Sequence, residues 1–323
     1  MSYIYDLIIV GGGPAGMSAA IYAGRARLKT VLFEGRFWGG QAATTNELIN
    51  YPGYYCYTKE NKIEKMTGSY LAKSFCLHAE TFGCELIQAD IVSLSLLDEI
   101  KKAVDSNGNV YKARAVILAL GARQRKIGCP GEKELVGKGV SYCATCDGDL
   151  FEDLDIYVVG GGNAAIEEAL YLTRFGRKVT VIYRGNQLRC VKEIQEKAFS
   201  NPKLSFIWNS VVSEFIGKDS LERIRVENIK TGEKRDIIPS DKSDPLLGCF
   251  IFIGSEPQTS LIKGQIDLDQ SDYIKTDETM STNISGVFAA GDCREKFLRQ
   301  VVTAASDGAI AAVAADKYLE KIK

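Results

Sequence analysis

Cys143 and Cys146 are separated by two residues and followed directly by Asp147, and no other two of the nine cysteines have this spacing. Cysteines two residues apart close a disulfide only in a local turn or at the start of a helix, where backbone dipoles also stabilise a thiolate. A carboxyl group beside them can accept and return the proton that thiol exchange moves, provided that its surroundings raise its pKa. These residues therefore predict a redox dithiol, with Cys143, Cys146 and Asp147 as the catalytic groups.

The cysteine pair has two other interpretations, half of a zinc site or two thiols that share a core by chance. Zinc is bound by four ligands, but the chain has no second C-x-x-C and its only histidine, His78, lies far away in sequence. We therefore predict no metal site, and chance core thiols remain the alternative. The other cysteines stand singly and are predicted to be small buried apolar side chains: Cys56, Cys76, Cys84, Cys129, Cys190, Cys249 and Cys293.

A glycine-rich turn near the N-terminus predicts a dinucleotide site. Residues 11–16, Gly-Gly-Gly-Pro-Ala-Gly, follow an apolar run of strand length and precede an alanine-rich segment that is typical of a helix. Glycines in such a turn let backbone N–H groups approach a pyrophosphate, and the helix N-terminus attracts the anion. Glu34 ends the next strand-like segment, where a carboxylate binds ribose hydroxyls and repels a 2′-phosphate. FAD or NAD is therefore predicted here, bound by Gly11, Gly13, Pro14, Ala15, Gly16 and Glu34.

The same pattern returns in the middle of the chain. Residues 160–165 follow an apolar strand-like segment, and a helix and a second strand to Tyr183 come next. Arg184 follows that strand, with Arg189 further on and no acidic residue between them. Guanidinium groups suit the 2′-phosphate of NADP, although two solvated arginines near a strand end are a simpler interpretation. The predicted NADPH residues are Gly160, Gly162, Asn163, Ala164, Arg184 and Arg189.

The whole pattern predicts an α/β protein with two Rossmann-like dinucleotide-binding domains of the three-layer ββα type. Apolar runs that end in glycine, at 115–120 and 249–254, are expected to mark where the chain crosses between the domains. Helices are expected over 61–83 and 301–319, alternating strands around 92–110, and a meander of strands over 204–235.

The composition is that of an ordinary globular protein and limits the possible partners. Of the 323 residues, 46% are hydrophobic and 25% are charged, and the formal net charge is −1. Such a chain has no overall field to collect nucleic acid or an anionic membrane. The first residues do not form a basic and apolar leader, and no apolar run approaches the roughly 20 residues of a membrane span. We therefore expect a cytoplasmic protein with no nucleic-acid or membrane partner.

The chain thus has one nucleotide site with an acidic residue, a second nucleotide site with arginines, and a dithiol. Together these sites indicate a path for electrons from a nicotinamide through a flavin to a disulfide. The order and spacing of the motifs resemble the low-molecular-weight, bacterial-type thioredoxin reductases, class II of the pyridine nucleotide-disulfide oxidoreductases, over essentially the whole chain. The motifs that carry this resemblance lie at 11–16, 39–41, 50–53, 143–147, 160–165, 291–292 and 299–300.

The resemblance implies an FAD domain made of both chain ends, 1–122 and 253–323, with a pyridine-nucleotide domain, 123–252, inserted between them. It implies an FAD-dependent homodimer that takes electrons from NADPH and reduces the disulfide of thioredoxin. Cys146 would be the sulfur nearer the flavin, which leaves Cys143 for exchange. Further FAD contacts are implied for Gly35, Gly40, Gln41, Asn50, Gly121, Gly291, Asp292, Arg299, Gln300 and Val301.

Two segments depart from the family pattern. The family's NADPH signature is His-Arg-Arg followed three residues later by Arg, and here Tyr183 and Gly185 replace the histidine and one arginine. A charged hydrogen bond is worth about 1.5–3 kcal/mol, so we expect a weaker preference for NADPH. NADH and reduced ferredoxin are therefore alternative donors. Residues 54–63 replace a stretch that is usually rich in Gly and Pro.

Two alternatives from other functional classes remain. A flavin-dependent ferredoxin or flavodoxin reductase shares the architecture, but such relatives lack the cysteine pair. A nucleotide-binding scaffold that senses redox state is the non-enzymatic alternative, and it predicts no turnover.

Overall fold

The polypeptide folds as two units, each of which contains a parallel sheet. The computed structural model describes residues 3–44, 48, 50–53, 56–57, 63–64, 67–240 and 246–322. Unit 1 contains Met1–Arg123 and Glu256–Lys323, and unit 2 contains Gln124–Ser255. Most of the divergent segment 54–63 lies outside the described residues.

Unit 1 opens with the expected strand, glycine turn and helix. Pro14 is the first residue of that helix, a position where the fixed φ of proline suits the helix and its missing N–H is not needed. A 3₁₀ turn at Gly40–Thr44 follows the second strand. The elements of this part are β1 (Ile4–Val10), α1 (Pro14–Arg25), β2 (Thr30–Glu34), β3 (Cys56–Tyr57), β4 (Ile63–Glu64), α2 (Gly68–Thr81), β5 (Glu85–Gln88), β6 (Ile91–Ser95), β7 (Lys101–Asp105), β8 (Val110–Leu118) and β9 (Ala122–Gln124).

Helix α2 is shorter than the sequence pattern predicts. The expected start at residue 61 is wrong, because Thr67 caps the helix by accepting a hydrogen bond from the Tyr70 N–H at 3.2 Å. Residues of β4 instead pair antiparallel with β3. The first helical turn is therefore set by a capping threonine rather than by the start of the apolar pattern.

Unit 2 carries the second strand, glycine turn and helix. Its elements are α3 (Glu132–Leu135), β10 (Val140–Ser141), α4 (Ala144–Asp147), β11 (Asp155–Val159), α5 (Asn163–Leu172), β12 (Lys178–Tyr183), α6 (Lys192–Ser200), β13 (Leu204–Trp208), β14 (Ser210–Ile216), β15 (Arg223–Asn228), β16 (Lys234–Ile237) and β17 (Leu247–Ile251). The next strand, β18 (Ser255–Pro257), begins at the last residue of unit 2 and continues into unit 1. The expected meander over 204–235 is wrong at its start, because β13 follows the crossover helix α6 and joins β12 in parallel.

The chain returns to unit 1 through β19 (Val287–Ala289) and α7 (Val301–Ile322). The strand order of the unit 1 sheet is β5-β2-β1-β8-β7-β6, with β19 also paired to β8. Strands β5, β2, β1, β8 and β19 are parallel. Strand β7 runs antiparallel against the first half of β8, and β6 runs antiparallel against β7. Leu7 and Ile9 share a core with α1 and α7, and Ile8 and Val10 share another with the antiparallel strands. Unit 1 therefore has three layers.

Unit 2 has the same layering on a smaller scale. Its five-stranded parallel sheet has the order β10-β17-β11-β12-β13, and β14, β15 and β16 form a separate antiparallel sheet. Ile156 and Val158 pack toward α5, and Val159 and Ile182 pack toward the antiparallel strands. The predicted α/β class with two Rossmann-like units is confirmed. None of the helices in the described ranges combines the length and apolar character needed to cross a membrane.

Candidate active site

The predicted cysteine pair lies at the start of a short helix in unit 2. Cys143 is the N-terminal cap residue of α4, and a disulfide joins it to Cys146 across a Cα–Cα distance of 5.3 Å. Ala144 is buried among side chains of β11 and α5, which anchors this turn to the core. The Asp147 N–H donates to the Cys143 carbonyl at 3.2 Å. The pair is therefore a disulfide, as its spacing predicts, and not two unrelated core thiols.

A serine that the sequence reasoning missed connects both ends of the redox turn. Ser141, the last residue of β10, is only 4% exposed. Its Oγ accepts a hydrogen bond from the Cys143 N–H at 3.0 Å and donates one to Asp147 Oδ2 at 2.6 Å. The only signal in the sequence is a hydroxyl two residues before the first cysteine, and serines are too common in strands for that to stand out.

The free cysteines of the described residues are poor nucleophiles. Four of them are buried and two, Cys76 and Cys129, are half-buried, while the Cys56 side chain lies outside the described residues. Burial raises the pKa of Cys84 to about 12 and the pKa of Cys129 and of Cys293 to about 11. Among the described residues, no group of three or more His, Cys, Asp or Glu side chains could hold a metal ion.

The first glycine turn has the tight geometry and the open side that a pyrophosphate needs. Gly11 has a φ of +109°, and a Cβ there would lie 2.2 Å from the Ala119 carbonyl oxygen. A Cβ at Gly16 would lie 1.8 Å from the Gly11 carbonyl oxygen, so the start of α1 packs directly on the turn. No atom lies within 4 Å of the Cβ position of Gly13 among the described residues. The predicted residues Pro14 and Ala15 follow as the first residues of α1.

Glu34 lies at the carboxyl end of β2 and is held beside the same turn. Its Oε2 accepts a hydrogen bond from the Gly12 N–H at 2.7 Å, and its Oε1 accepts one from the Arg36 N–H at 2.9 Å. Gly35 comes next, where a Cβ would lie 1.7 Å from Asp90 Oδ1. The carboxylate is therefore fixed next to the turn, with further lone pairs for a ribose.

The second part of unit 1 places a buried carboxylate at the end of β19. Gly291–Cys293 form a 3₁₀ turn, and Asp292 Oδ1 is buried with no hydrogen-bond partner among the described residues. Burial raises the pKa of Asp292, while Lys296 and Arg299 act in the opposite direction. A buried carboxylate oxygen normally has a donor, so this site fits a ligand that brings its own hydroxyl or N–H group.

A buried ion pair supports that turn from α7. Asp307 Oδ2 accepts a hydrogen bond from the Gly291 N–H at 3.0 Å and another from Lys296 Nζ at 2.7 Å. The side chains of Lys296 and Asp307 are only 6% and 10% exposed. Neither residue was singled out from the sequence, because nothing local shows that an aspartate within a helix contacts a turn sixteen residues earlier.

The structure brings together several predicted FAD residues that are distant in sequence. Asn50 Nδ2 donates to Gln300 Oε1 at 3.0 Å, and Gln41 Nε2 donates to the Ala122 carbonyl next to Gly121. The Arg299 guanidinium lies 4.1 Å from the centre of the Tyr273 ring, and its buried Nε has no partner among the described residues. Two other predicted residues lie at element boundaries, Gly40 at the start of a 3₁₀ turn and Val301 at the start of α7.

The second glycine turn repeats these features in unit 2. Gly160 has a φ of +148°, and a Cβ there would lie 2.3 Å from the Phe252 carbonyl oxygen. The Cβ position of Gly162 has no described atom within 4 Å, and α5 begins at the next residue, Asn163, followed by Ala164. Asn163 Oδ1 accepts from the Val191 N–H at 2.9 Å, which ties the following loop to the turn.

The Tyr183 ring fills the space between that turn and Gly185. One edge of the buried ring lies 2.5 Å from the Cβ position of Gly161, and the other edge lies 2.6 Å from that of Gly185. An arginine at 185, as in the family pattern, would therefore bring its Cβ against the Tyr183 ring. Arg184 and Arg189 are exposed beside the turn, and the Arg189 N–H donates to the Gly161 carbonyl at 2.8 Å.

Known proteins match this chain over nearly its full length. The family described as pyridine nucleotide-disulphide oxidoreductase matches residues 5–308. A thioredoxin reductase of Peptoclostridium litorale is 49% identical over 100% of this chain and 99% of that protein. A thioredoxin reductase of Bacillus subtilis is 43% identical over 99% and 96% of the two chains. The solved structure of thioredoxin reductase from Streptococcus pyogenes has a TM-score of 0.90 and 41% identity, covering 99% of this chain and 100% of that one.

Proposed function

The chain belongs to the pyridine nucleotide-disulphide oxidoreductases, and among them to the thioredoxin reductases, and from this premise we propose that it passes electrons from NADPH through FAD and the Cys143–Cys146 pair to thioredoxin. The resemblance inferred from the motifs is thereby confirmed. The observation that carries the proposal is the disulfide at the start of α4, with a carboxylate hydrogen-bonded beside it. A ferredoxin or flavodoxin reductase without a dithiol does not account for that disulfide.

FAD fits unit 1. The turn at Gly11 and the start of α1 would receive the pyrophosphate, and Glu34 would bind the ribose of the adenosine half. The orphaned oxygen of Asp292 would accept a hydrogen bond from the ribityl or phosphate part of the cofactor. Bound FAD accepts a hydride and releases an electron pair to a disulfide. The other proposed contacts are Gly13, Pro14, Ala15, Gly16, Gly35, Gly40, Gln41, Asn50, Gly121, Gly291, Arg299, Gln300 and Val301.

NADPH is the donor that unit 2 supports best. The pyrophosphate would lie at Gly160 and Gly162 and at the α5 N-terminus, where Asn163 and Ala164 begin the helix. Glu34 is the last residue of β2, whereas the last residue of β12 is Tyr183 and not a carboxylate. The exposed Arg184 and Arg189 suit a 2′-phosphate. The Tyr183 ring and the missing arginine at 185 favour NADH or reduced ferredoxin as the second candidates.

Disulfide exchange at the dithiol conserves two electrons and two protons. The Cys143 thiolate attacks one sulfur of the thioredoxin disulfide, that S–S bond breaks, and a mixed disulfide forms. The departing thiolate takes a proton from the Asp147 carboxyl group. The Cys146 thiol then gives its proton to the Asp147 carboxylate and attacks Cys143 Sγ, and the bond between Cys143 and thioredoxin breaks. The second thioredoxin thiolate takes that proton from Asp147, so the Cys143–Cys146 disulfide is restored and thioredoxin leaves as a dithiol.

The proposal also covers the domain boundaries, the oligomeric state and the cellular location of the protein. We assign 1–122 and 253–323 to the FAD domain and 123–252 to the nucleotide domain, in a homodimer whose size light scattering would measure. A cytoplasmic location suits a dithiol that must be kept reduced.

An anaerobic half-reaction tests the electron path. The FAD-loaded protein is mixed separately with NADPH, NADH and reduced ferredoxin, the flavin absorbance is followed, and oxidised thioredoxin is then added. We expect NADPH to bleach the flavin fastest and thioredoxin to restore the colour. A Cys143→Ser variant should bleach normally and fail to reduce thioredoxin. Bleaching by ferredoxin alone would refute the donor but not the dithiol, and wild-type protein that leaves thioredoxin oxidised would refute the function.

A further inference from the structure

The Ser141 hydroxyl makes hydrogen bonds that converge on the redox turn, and the Cys143 carbonyl, at 3.4 Å, is a second and longer acceptor for its proton. It accepts from the backbone N–H of Cys143, which precedes α4, and donates to the carboxylate of Asp147, which ends α4. One hydroxyl therefore holds both ends of the four-residue helix that contains Cys146. A hydroxyl group has one donor and two acceptor sites, so both bonds are satisfied together.

The position of this hydroxyl is fixed by the sheet rather than by the redox turn. Ser141 pairs with Phe250 of β17 in the parallel ladder, and its side chain is almost fully buried. In contrast, Thr145, which lies 3.5 Å from Cys143 Sγ through its Oγ1, is exposed on the turn itself. Ser141 is thus a side chain through which the rigid geometry of the sheet reaches the Asp147 carboxylate.

We propose that Ser141 is a positioning residue of the dithiol, whose hydroxyl orients the Asp147 carboxylate for proton transfer to and from the exchanging sulfurs. The proposal rests on the proposed function, since it concerns the same dithiol. Ser141 takes no part in electron or proton transfer and acts only through Asp147, so the electron and proton balance of exchange is unchanged. A group held by a short hydrogen bond spends more of its time in the geometry that proton transfer requires.

The test measures exchange without a nucleotide or thioredoxin. The purified holoprotein is reduced, freed of reductant and mixed with oxidised glutathione. Reoxidation of the Cys143–Cys146 pair is then quantified by acid quench, alkylation and mass spectrometry of the peptide that contains both residues. The variants are Ser141→Ala, Ser141→Thr, Asp147→Asn and the double variant Ser141→Ala with Asp147→Asn. Ser210→Ala is the matched control, because Ser210 is a buried serine of the same unit whose hydroxyl donates only to the Trp208 carbonyl at 2.9 Å.

We expect Ser141→Ala to slow reoxidation roughly tenfold, since a hydrogen bond to a charged group is lost. Ser141→Thr should restore the rate to within about twofold, because it keeps the hydroxyl. The double variant should be no slower than Asp147→Asn alone, because the serine acts through that carboxylate. Thioredoxin turnover by Ser141→Ala should show a lower kcat with an unchanged KM.

Two results would overturn the proposal. The first is a Ser141→Ala protein that reoxidises as fast as the wild type and Ser210→Ala. The second is a double variant whose loss equals the product of the single losses, which would show that the serine acts independently of Asp147. Failure of the proposed function has a different signature, in which the wild-type pair exchanges with glutathione but leaves thioredoxin oxidised.

Discussion

A thiol exchanges quickly only if a useful fraction of it is ionised, and this separates the cysteines of the chain at the scale of single residues. Burial holds the pKa of Cys129 and of Cys293 at about 11, well above neutral pH. Cys143 and Cys146 are half-exposed at the start of α4. Among the described cysteines, burial therefore disfavours ionisation of the thiols outside this pair.

Alkylation of the reduced protein tests this selectivity. At pH 8 we expect iodoacetamide to modify Cys143 or Cys146 first, and Cys129 and Cys293 at least about tenfold more slowly, because each pH unit below the pKa lowers the thiolate fraction tenfold. The rates are read by mass spectrometry of the cysteine peptides. Unfolded protein in urea is the control, in which all sites should react alike. Equal alkylation rates at these cysteines in the folded protein would show that burial does not control their reactivity.

The proposed preference for NADPH depends on a few residues of unit 2. We expect the double variant Tyr183→His with Gly185→Arg to raise the kcat/KM ratio of NADPH over NADH by roughly tenfold, because it restores a charged hydrogen bond to a 2′-phosphate. Gly185→Arg alone should lower thermal stability, since its Cβ would lie 2.6 Å from the Tyr183 ring. Lys133→Arg is a control that adds an arginine at an exposed position elsewhere in unit 2. An unchanged ratio in the double variant would contradict the assigned phosphate site.

At the scale of single residues, the sequence predicted the groups whose role depends on near neighbours in the chain. The C-x-x-C pair and both glycine turns are encoded within a few consecutive residues, so their spacing was sufficient to predict them. Ser141 was missed because its importance comes from a hydrogen bond to Asp147 that only the folded turn creates. The ring contact between Tyr183 and Gly161 was equally invisible, since it joins the ends of two different strands.

At the scale of elements, α7 acts as a support for the turn that carries Asp292. Its Asp307 accepts from the Gly291 N–H and from a buried Lys296. Element boundaries were the weaker part of the sequence prediction. The start of α2 depended on the Thr67 cap, and the pairing of β13 depended on a crossover helix, neither of which appears as apolar periodicity.

Removing the Asp307 charge should loosen this support. In Asp307→Asn the buried Lys296 and Arg294 lose the carboxylate that both contact, and breaking a buried pair costs about 3–5 kcal/mol. We expect a lower unfolding temperature and a higher Kd for FAD, measured by calorimetry and by flavin fluorescence during dilution. Glu320→Gln, at an exposed position of the same helix, is the control. A variant that keeps the wild-type Kd for FAD would show that the pair supports the fold alone.

At the scale of the whole molecule, each unit has its own parallel sheet and its own glycine turn. Each ligand should therefore stabilise the unit that binds it, because a ligand stabilises only the state to which it binds. The parallel architecture of both units could be predicted from the repeated strand, turn and helix. The three-layer type was predicted as well, but the strands that make up the antiparallel layer of unit 2 were not, because the pairing of β13 with β12 is a contact between segments far apart in the chain.

Hydrogen exchange of the backbone amides would show which unit each ligand protects. FAD should slow exchange most at 11–16 and around Asp292 in unit 1, and NADPH should slow it most at 160–165 and 184–191 in unit 2. The measurement compares FAD-free protein, FAD-loaded protein, and FAD-loaded protein with NADP⁺, the oxidised form, which does not reduce the flavin. Protection by NADP confined to unit 1 would contradict the assignment of the second turn.

The Tyr183 ring also couples the two glycines that flank it. A Cβ at 161 would lie 2.5 Å from one edge of the ring, and a Cβ at 185 would lie 2.6 Å from the other edge. Because the ring is buried between them, a shift that relieves one contact tightens the opposite one. A larger side chain at 161 or at 185 is therefore accommodated without strain only when the residue at 183 becomes smaller, so these three positions behave as one unit under substitution.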